Sequence, residues 1–577
     1  MLANSKGQTL TDHLKAVACT AQEIARLCGY SEKIQKLAYA AGLLHDIGKA
    51  TKSFQHCLAS GQSYDEAISP THHEISWAFL IQSYGISEDN ELIFNAIYWH
   101  HARPLDENYE SLKYRDEIIS KIDDSDRRRI TDFIHSLSLP DLPNLGSVRH
   151  DECVPDLFFQ DGTYDKNTNA EMLGVRMCLI SADRMVSRLS AENVAAIAHG
   201  EVPPSKCLSK TDRPFFETYS CPLNYQAERF DIQQGCARQA LKNRTVIAKA
   251  PAGFGKTMIG VLYALFHGKQ SYWVCPRNVV AEAVYRNIIR EIRALNLFCS
   301  VELFLSGERK NSNTPEGLIP DFSSDIVVTN IDNLLGPMVN NRTADRLFNV
   351  LSGVVILDEF HEFVSDSPLF AAFITYMRAR HRLSTTACTL LLSATPTNVH
   401  KLWDWSDHET TLLPDQNQHY PAAHEGNYRI KLINEFPKKV LPASLCIFNS
   451  VSMAQDQFLE HEMEYLIHSK FTDSDRQQIL ERIYTSFGKD GSGIEKGERI
   501  SSALIMQAAM DVSSANLYDS VCSPETTLQR IGRCDRWGTY SGRQPEVFLF
   551  TPSLGKDRYP NECHAIETIY NRELNNL

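Results

Sequence analysis

The stretch from Ala250 to Thr257, Ala-Pro-Ala-Gly-Phe-Gly-Lys-Thr, constrains this chain more than any other. It follows a β-branched run, Thr245-Val246-Ile247-Ala248, and precedes apolar residues at helical spacing, Ile259, Leu262, Tyr263 and Phe266. Strand, tight loop and helix together form the context of a phosphate-binding P-loop. Backbone N–H groups of such a loop point at one centre, and the helix N-terminus behind them adds positive potential. Gly253 and Gly255 let the backbone approach closely. Lys256 is expected to reach the β- and γ-phosphates of ATP, and the Thr257 hydroxyl to ligate Mg²⁺. The usual first glycine is Ala250 here. The bland alternative is an ordinary strand-to-helix turn, and the partner motifs downstream weigh against it.

Strands and helices alternate on both sides of this loop. Candidate strands are Thr245 to Ala250, Tyr272 to Cys275, Asp325 to Thr329, Val354 to Leu357 and Thr389 to Ser393. The alternation predicts a doubly wound parallel sheet that binds ligand at the carboxyl ends of its strands. Val354-Val355-Ile356-Leu357 ends in Asp358 and Glu359. Asp358 is placed to hold Mg²⁺, and Glu359 to orient and deprotonate the attacking water. Acidic strand ends are common, but here they follow a P-loop in the same alternating pattern. Ser393-Ala394-Thr395-Pro396 resembles the motif that couples hydrolysis to movement in superfamily-two helicases. Gln226 is the candidate adenine reader, although a lone glutamine is usually a surface residue. Pro276-Arg277 and Thr329-Asn330 match positions where such helicases touch the DNA backbone. Arg286, Arg290 and Arg293 share a helix face that reads more simply as solvated.

A second alternating pattern begins at Leu445 and includes candidate strands Ala503 to Met506 and Glu546 to Thr551. It carries Gln529-Arg530-Ile531-Gly532-Arg533-Cys534-Asp535-Arg536. Arg533 and Arg536 lie one turn apart on a helical face. Planar, permanently charged guanidinium groups suit a γ-phosphate approached across a cleft.

The residues before about 205 read as all-helical, with stripes such as Leu14, Val17, Ala21, Ile24 and Ile34, Leu37, Ala41, Leu44. Polar residues interrupt the stripes at apolar borders: His13, His45-Asp46 with Lys49, His73, His100-His101 and Asp183. Imidazole and carboxylate suit borderline divalent transition metals, and a helical bundle can gather such ligands from several helices. Singly, each reads as a satisfied core or surface residue, and His72 is read that way. His45-Asp46 is the exception, because a buried vicinal pair is expensive to desolvate without a cation.

The bulk composition sets limits. At 577 residues the chain needs several cores. No apolar run is long enough to span a membrane, and the first residues lack a secretory core. Fifteen cysteines without a Cys-x-x-Cys pair fit a reducing cytoplasm and argue against a disulfide framework or a thiolate zinc site. A net charge of −13 argues against a broad nucleic-acid-coating face, while leaving room for a local basic channel.

The ordered set His13, His45-Asp46-x-x-Lys49, His73-Glu74-x-Ser76, His100-His101 and Ala-Asp183-Arg resembles the HD-superfamily nuclease domain. With the motor motifs behind it, the chain is similar to the CRISPR-associated helicase–nucleases of type I systems. The resemblance implies an all-α HD domain over 1–205, a linker over 206–222, and two RecA-like α/β helicase lobes over 223–420 and 421–577. It implies two transition metals (Mn, Fe, Co or Ni) on His13, His45, Asp46, His73, His100, His101 and Asp183, with Lys49 neutralising phosphate charge. It also implies single-stranded DNA as substrate, ATP-driven translocation, no membrane association, and recruitment by a guide-RNA surveillance complex of the Cascade type. Two departures stand out. The family's Thr-Gln…Glu-x-x-Leu-Asp stretch reads Ala503-Leu504…Gln507-Ala508-Ala509-Met510-Asp511, which puts the coupling of DNA contact to ATP turnover in question. The usual C-terminal accessory domain is not expected within this sequence, as in a compact or truncated variant. A phosphohydrolase of small esters fused to a motor, or a helicase with an inert HD domain, remain the alternatives.

Overall fold

The computed structural model describes residues 1–61, 70–101, 114–137, 155, 166–204, 218–223, 225–250, 254–305, 308–312, 324–339, 351–365, 367–393, 401, 410–413, 429–488, 491–506, 512–522, 524–536 and 544–550. Gly253, Ala394 to Pro396, Asp511 and most of the expected linker lie outside this set.

The N-terminal region is helical: α1 (Leu10–Leu27), α2 (Glu32–Leu44), α3 (Lys52–Ser60), α4 (His72–Tyr84), α5 (Glu88–Trp99), α6 (Arg115–Ser120), α7 (Asp124–Ser136), α8 (Lys166–Arg188) and α9 (Ala191–Ala198). Local chemistry sets several helix starts. Thr9, Ser31 and Ser190 cap α1, α2 and α9 through their hydroxyls. Thr71 and Glu74 close a reciprocal capping box at the start of α4. The helix α2 ends at His45, and a 3₁₀ turn, Ile47–Ala50, follows Asp46.

The first lobe runs α10 (Ala227–Ala240), β1 (Thr245–Lys249), α11 (Lys256–His267), β2 (Ser271–Cys275), α12 (Asn278–Ala294), β3 (Val301–Leu305), β4 (Glu308–Asn311), β5 (Ile326–Asn330), α13 (Ile331–Val339), β6 (Val354–Asp358), α14 (Ser367–Leu383), β7 (Cys388–Ser393) and β8 (Thr410–Leu413). Its sheet has the order β4-β3-β5-β2-β6-β7-β1-β8 and is parallel except for the β3–β4 pair. Strands β1, β2, β5 and β6 are buried along nearly their whole length, as strands covered on both faces must be. The second lobe holds β9 (Arg429–Ile433), β10 (Ser444–Ile447), β11 (Tyr465–Ile467), β12 (Ile500–Ser502), β13 (Asn516–Ser520), α15 (Pro524–Ile531) and β14 (Glu546–Phe550). These strands form an all-parallel sheet, β11-β12-β10-β13-β14-β9. The strand expected over Ala503 to Met506 is displaced. It ends at Ser502, and Leu504–Met506 is a 3₁₀ turn.

The helical region and the first lobe share one apolar core. A single buried cluster includes Leu14, Ile24 and Leu179 together with Val327, Leu357 and Met377. The Ser384 hydroxyl donates to the Cys28 carbonyl at 2.5 Å, and the Thr385 N–H to the Gly29 carbonyl at 3.1 Å. Buried Arg176 of α8 donates to the Met338 carbonyl at 3.1 Å. The helical region and the first lobe thus pack around one continuous apolar cluster.

Candidate metal centre and nucleotide site

Asp46 is the hub of the first site and is completely buried. Its Oδ2 lies 3.2 Å from His45 Nε2, 3.7 Å from His13 Nε2 and 2.5 Å from Lys49 Nζ. Its Oδ1 lies 3.3 Å from His72 Nε2 and 3.6 Å from His100 Nε2. Asp183 of α8 closes the first half, with Oδ1 at 3.3 Å from His13 Nε2 and 3.7 Å from His45 Nε2. Two four-residue groups result, His13-His45-Asp46-Asp183 and Asp46-His72-His100-His101, each with ligand atoms within 4.8 Å of one another. Asp46 belongs to both.

The sequence expectation is corrected at one position. His72, read there as an ordinary residue, faces Asp46, whereas His73 is absent from both groups. Successive residues of an α-helix project about 100° apart, so within the first turn of α4 His72 is turned toward Asp46 and His73 away from it. The Nε2 of His73 instead lies 3.3 Å from the Thr71 hydroxyl, and its ring packs edge-on against Tyr98. Gly48 makes the arrangement possible, since a Cβ there would lie 2.2 Å from the His72 carbonyl oxygen. The Gly48 N–H and the His72 carbonyl are bridged by the Ser76 hydroxyl, at 2.9 and 2.8 Å.

The donor chemistry fits a pair of divalent transition ions. The His45 and His100 Nδ1 atoms face backbone carbonyls of Gly42 and Ile97 at 2.8 and 2.5 Å. That contact puts the proton on Nδ1 and leaves Nε2 as the lone-pair nitrogen. The Nε2 atoms of His13, His45, His72 and His100 have no hydrogen-bond partner and surround two carboxylates. The buried carboxylates are surrounded by groups that shift one another's protonation. Burial would raise the Asp46 pKa, but His45 and Lys49 outweigh it and hold the carboxyl well below its usual range. Burial would lower His45, yet Asp46 and Asp183 push it up to about 10. His72, more weakly paired, is driven well below the usual imidazole value by burial.

The second site lies at the carboxyl ends of β1 and β6. Gly255 sits at φ 92°, and a Cβ there would lie 2.5 Å from the Gln233 side chain. The Phe254 carbonyl accepts from Arg229 Nε at 3.0 Å and from Gln233 Nε2 at 2.6 Å. Gln226 is exposed at the N-cap of α10, and Thr257 lies in the first turn of α11. Lys256 Nζ is bonded to Glu359 Oε1. Glu359 has φ 46°, a left-handed conformation that a non-glycine residue adopts at a cost of about 1–3 kcal/mol. Asp358 accepts the Glu359 N–H at 3.0 Å and the Trp273 indole N–H at 3.2 Å. Burial and the adjacent Glu359 charge raise Asp358 to about 6. For Glu359, burial acts upward but Lys256 prevails and lowers the pKa.

The second lobe reaches this site through α15. Gln529 Nε2 bonds His361 Nε2, and His361 Nδ1 meets the Ser393 hydroxyl at 2.8 Å. Arg533 is buried, and its charge contributes to lowering Glu359. The Arg536 N–H donates to Ser513 Oγ at 2.9 Å. Sequence reasoning quoted Arg530 without giving it a role. It is fully buried and pairs with fully buried Asp519 at 2.6 Å, anchoring α15 to β13. Thr329 and Asn330, matched to DNA contacts, are buried and bonded within the protein to the Phe304 carbonyl and Asn278.

Comparison with known proteins finds related families along the same three regions. The HD domain family matches residues 10–128, the DEAD/DEAH box helicase family 230–402, and the C-terminal family of the CRISPR-associated nuclease/helicase Cas3 matches 442–539. The CRISPR-associated nuclease/helicase Cas3 of Methanothermobacter thermautotrophicus is 21% identical over 347 residues, 54% of this chain and 41% of the relative. The alignment therefore spans about two fifths of that relative's length. A putative CRISPR-associated nuclease/helicase Cas3 of Methanocaldococcus jannaschii is 21% identical over 582 residues, 88% of this chain and 77% of the relative. The crystal structure of T. fusca Cas3 with AMPPNP superimposes with a TM-score of 0.65 at 15% identity, covering 97% of this chain and 76% of that one. The chain thus carries an HD domain, a DEAD/DEAH box helicase region and a Cas3 C-terminal region in that order, and is similar in sequence and fold to the CRISPR-associated nuclease/helicases.

Proposed function

We propose that this chain moves along single-stranded DNA by ATP hydrolysis and cuts it at a two-metal HD centre during CRISPR interference. One observation carries the reading. Ligand atoms from five separate segments gather on the two oxygens of one buried carboxylate, in a body fused to a nucleotide motor. Two transition ions from the Mn-to-Ni class, bound there, would supply Lewis acidity toward a DNA phosphate and acidify a bound water. Asp46 would bridge the two halves, and His13, His45 and Asp183 would hold one side. His72, His100 and His101 would hold the other. Lys49 would neutralise charge on the phosphate being cut.

In the motor, Lys256 is bonded to Glu359. Phosphates entering the loop would take over Lys256 and release Glu359 to orient water. Asp358 and Thr257 would hold Mg²⁺, and Arg533 and Arg536 would meet the γ-phosphate from the second lobe. The chain Gln529–His361–Ser393 would carry the state of that phosphate between lobes. A guide-RNA complex is the partner that best fits, since a solved CRISPR RNA-guided surveillance complex in a pre-nicking state matches this fold with a TM-score of 0.58.

The test is cleavage of circular single-stranded DNA with Mn²⁺, Co²⁺ or Ni²⁺, with and without ATP. Asp46→Ala is expected to abolish cutting while ATPase persists. Lys256→Ala is expected to remove ATPase and leave metal-dependent cutting of exposed single strands. Normal cutting by Asp46→Ala would refute the assigned centre. Hydrolysis of small phosphate esters without DNA cleavage would favour the phosphohydrolase alternative.

A further inference from the structure

We infer that Gln8 is a positioning residue of the metal centre, fixing which nitrogen of His13 faces the ions. The inference rests on the two-metal reading and names a residue outside the ligand set. Gln8 is fully buried just before α1. Its Nε2 donates to two carbonyls at the end of α8, Val186 at 3.1 Å and Leu189 at 2.9 Å. Its Oε1 accepts from Asn4 Nδ2 at 2.8 Å and faces His13 Nδ1 at 3.0 Å.

Every polarity in this chain of bonds is forced from its two ends. The Lys6 backbone N–H can only donate, and it donates to Asn4 Oδ1 at 3.0 Å. Asn4 must therefore present its NH₂ to Gln8. At the other end, two backbone carbonyls can only accept, so Gln8 must present its NH₂ to them. Turning the carboxamide over would set oxygen against two carbonyls and NH₂ against NH₂. Gln8 Oε1 therefore faces His13, and only a protonated Nδ1 satisfies it. The lone pair of His13 is then left on Nε2, 3.3 Å from Asp183 and 3.7 Å from Asp46.

His45 and His100 obtain the same tautomer from backbone carbonyls, which no side-chain substitution can remove. For His13 the task falls to a side chain. Gln8 also ties α1, which carries His13, to the end of α8, which carries Asp183 a few residues earlier. It therefore sets both the tautomer of one ligand and its spacing to another.

The experiment uses the full chain, titrated with Mn²⁺ and Co²⁺ by calorimetry, with long-range ¹⁵N NMR reading the His13 tautomer in the metal-free protein. Gln8→Leu is expected to weaken the His13-His45-Asp46-Asp183 ion about 10–100-fold, the usual effect of losing such a partner. The Asp46-His72-His100-His101 ion should weaken much less. His13 should change from a single Nδ1–H tautomer to a mixture. Gln8→Glu keeps the acceptor toward His13 but sets a carboxylate oxygen against the Val186 and Leu189 carbonyls, so it is expected to keep the Nδ1–H tautomer while losing the tie to α8. Unchanged affinity and tautomer in Gln8→Leu would overturn the inference. So would equal loss at both ions with a matching drop in thermal stability, since that marks a general folding role. Wild type binding no divalent metal would sink the two-metal reading instead, and the NMR comparison would still decide the role of Gln8.

Discussion

Asp46 gives one oxygen to each half of the centre, so its loss should act twice where other ligands act once. The perturbation is Asp46→Asn, which keeps volume and removes the charge. The carboxylate is fully buried, with Lys49, His45 and His72 within 3.3 Å. Removing one partner from a buried ionic cluster costs about 3–5 kcal/mol. At 1.4 kcal/mol per decade, that is about two to four decades in the dissociation constant of each ion. Asp183→Asn and His72→Ala provide the contrast. Of the imidazoles, Asp183 is paired with His13 and His45, so its loss should weaken one ion. His72 faces the other half, so its loss should weaken the second ion. The assay is calorimetric titration with Mn²⁺, counting equivalents, beside DNA cleavage. Two tightly bound equivalents in Asp46→Asn would refute the bridging role. Loss of both ions in Asp183→Asn would refute the division into halves.

Trp273→Phe removes the indole donor to Asp358, a loss of about 1 kcal/mol or about fivefold, and ATPase assays should show a raised Mg²⁺ requirement beside the lower melting temperature that shrinking a fully buried ring brings. Arg530→Leu leaves Asp519 buried without its partner. It should destabilise the second lobe by about 3–5 kcal/mol in urea unfolding, and the double replacement Asp519→Leu with Arg530→Leu should recover much of that. Glu362 is raised to about 7, chiefly by burial with Arg277 opposing. The folded state therefore holds this proton more tightly than the unfolded chain, and stability falls as pH rises from the ordinary carboxylate range through about 7. Glu362→Gln should remove that decline, leaving stability near pH 5 unchanged and raising it at pH 8, as read by denaturation across pH.

Much of the motor could be read from the chain. The apolar runs before Lys256 and Asp358 form strands, because a parallel strand buried on both faces needs an unbroken apolar sequence. Short or mixed strands escaped. Val301–Leu305 alternates a charge into its run, and Thr410–Leu413 is only half buried at the sheet edge. At the metal centre, the choice between His72 and His73 was not legible. Both sit in the first turn of α4, and only the rotation of that helix against Gly48 decides which one faces Asp46. Gln8 left no signal either, since its partners on α8 are distant in sequence and are backbone atoms.

The sequence by itself determined which chemical groups are available and which local elements carry them. A P-loop, an acidic strand end and His-Asp borders are short-range patterns that follow from backbone geometry and capping, whereas the helical face expected for Arg533 and Arg536 is not formed, because α15 ends at Ile531. Tertiary structure alone decided which of those groups meet. Asp46 faces both groups of imidazoles, His72 rather than His73 lies against it, and the helical region shares a core with the first lobe, because helix rotation and packing distance depend on contacts between residues far apart in the chain.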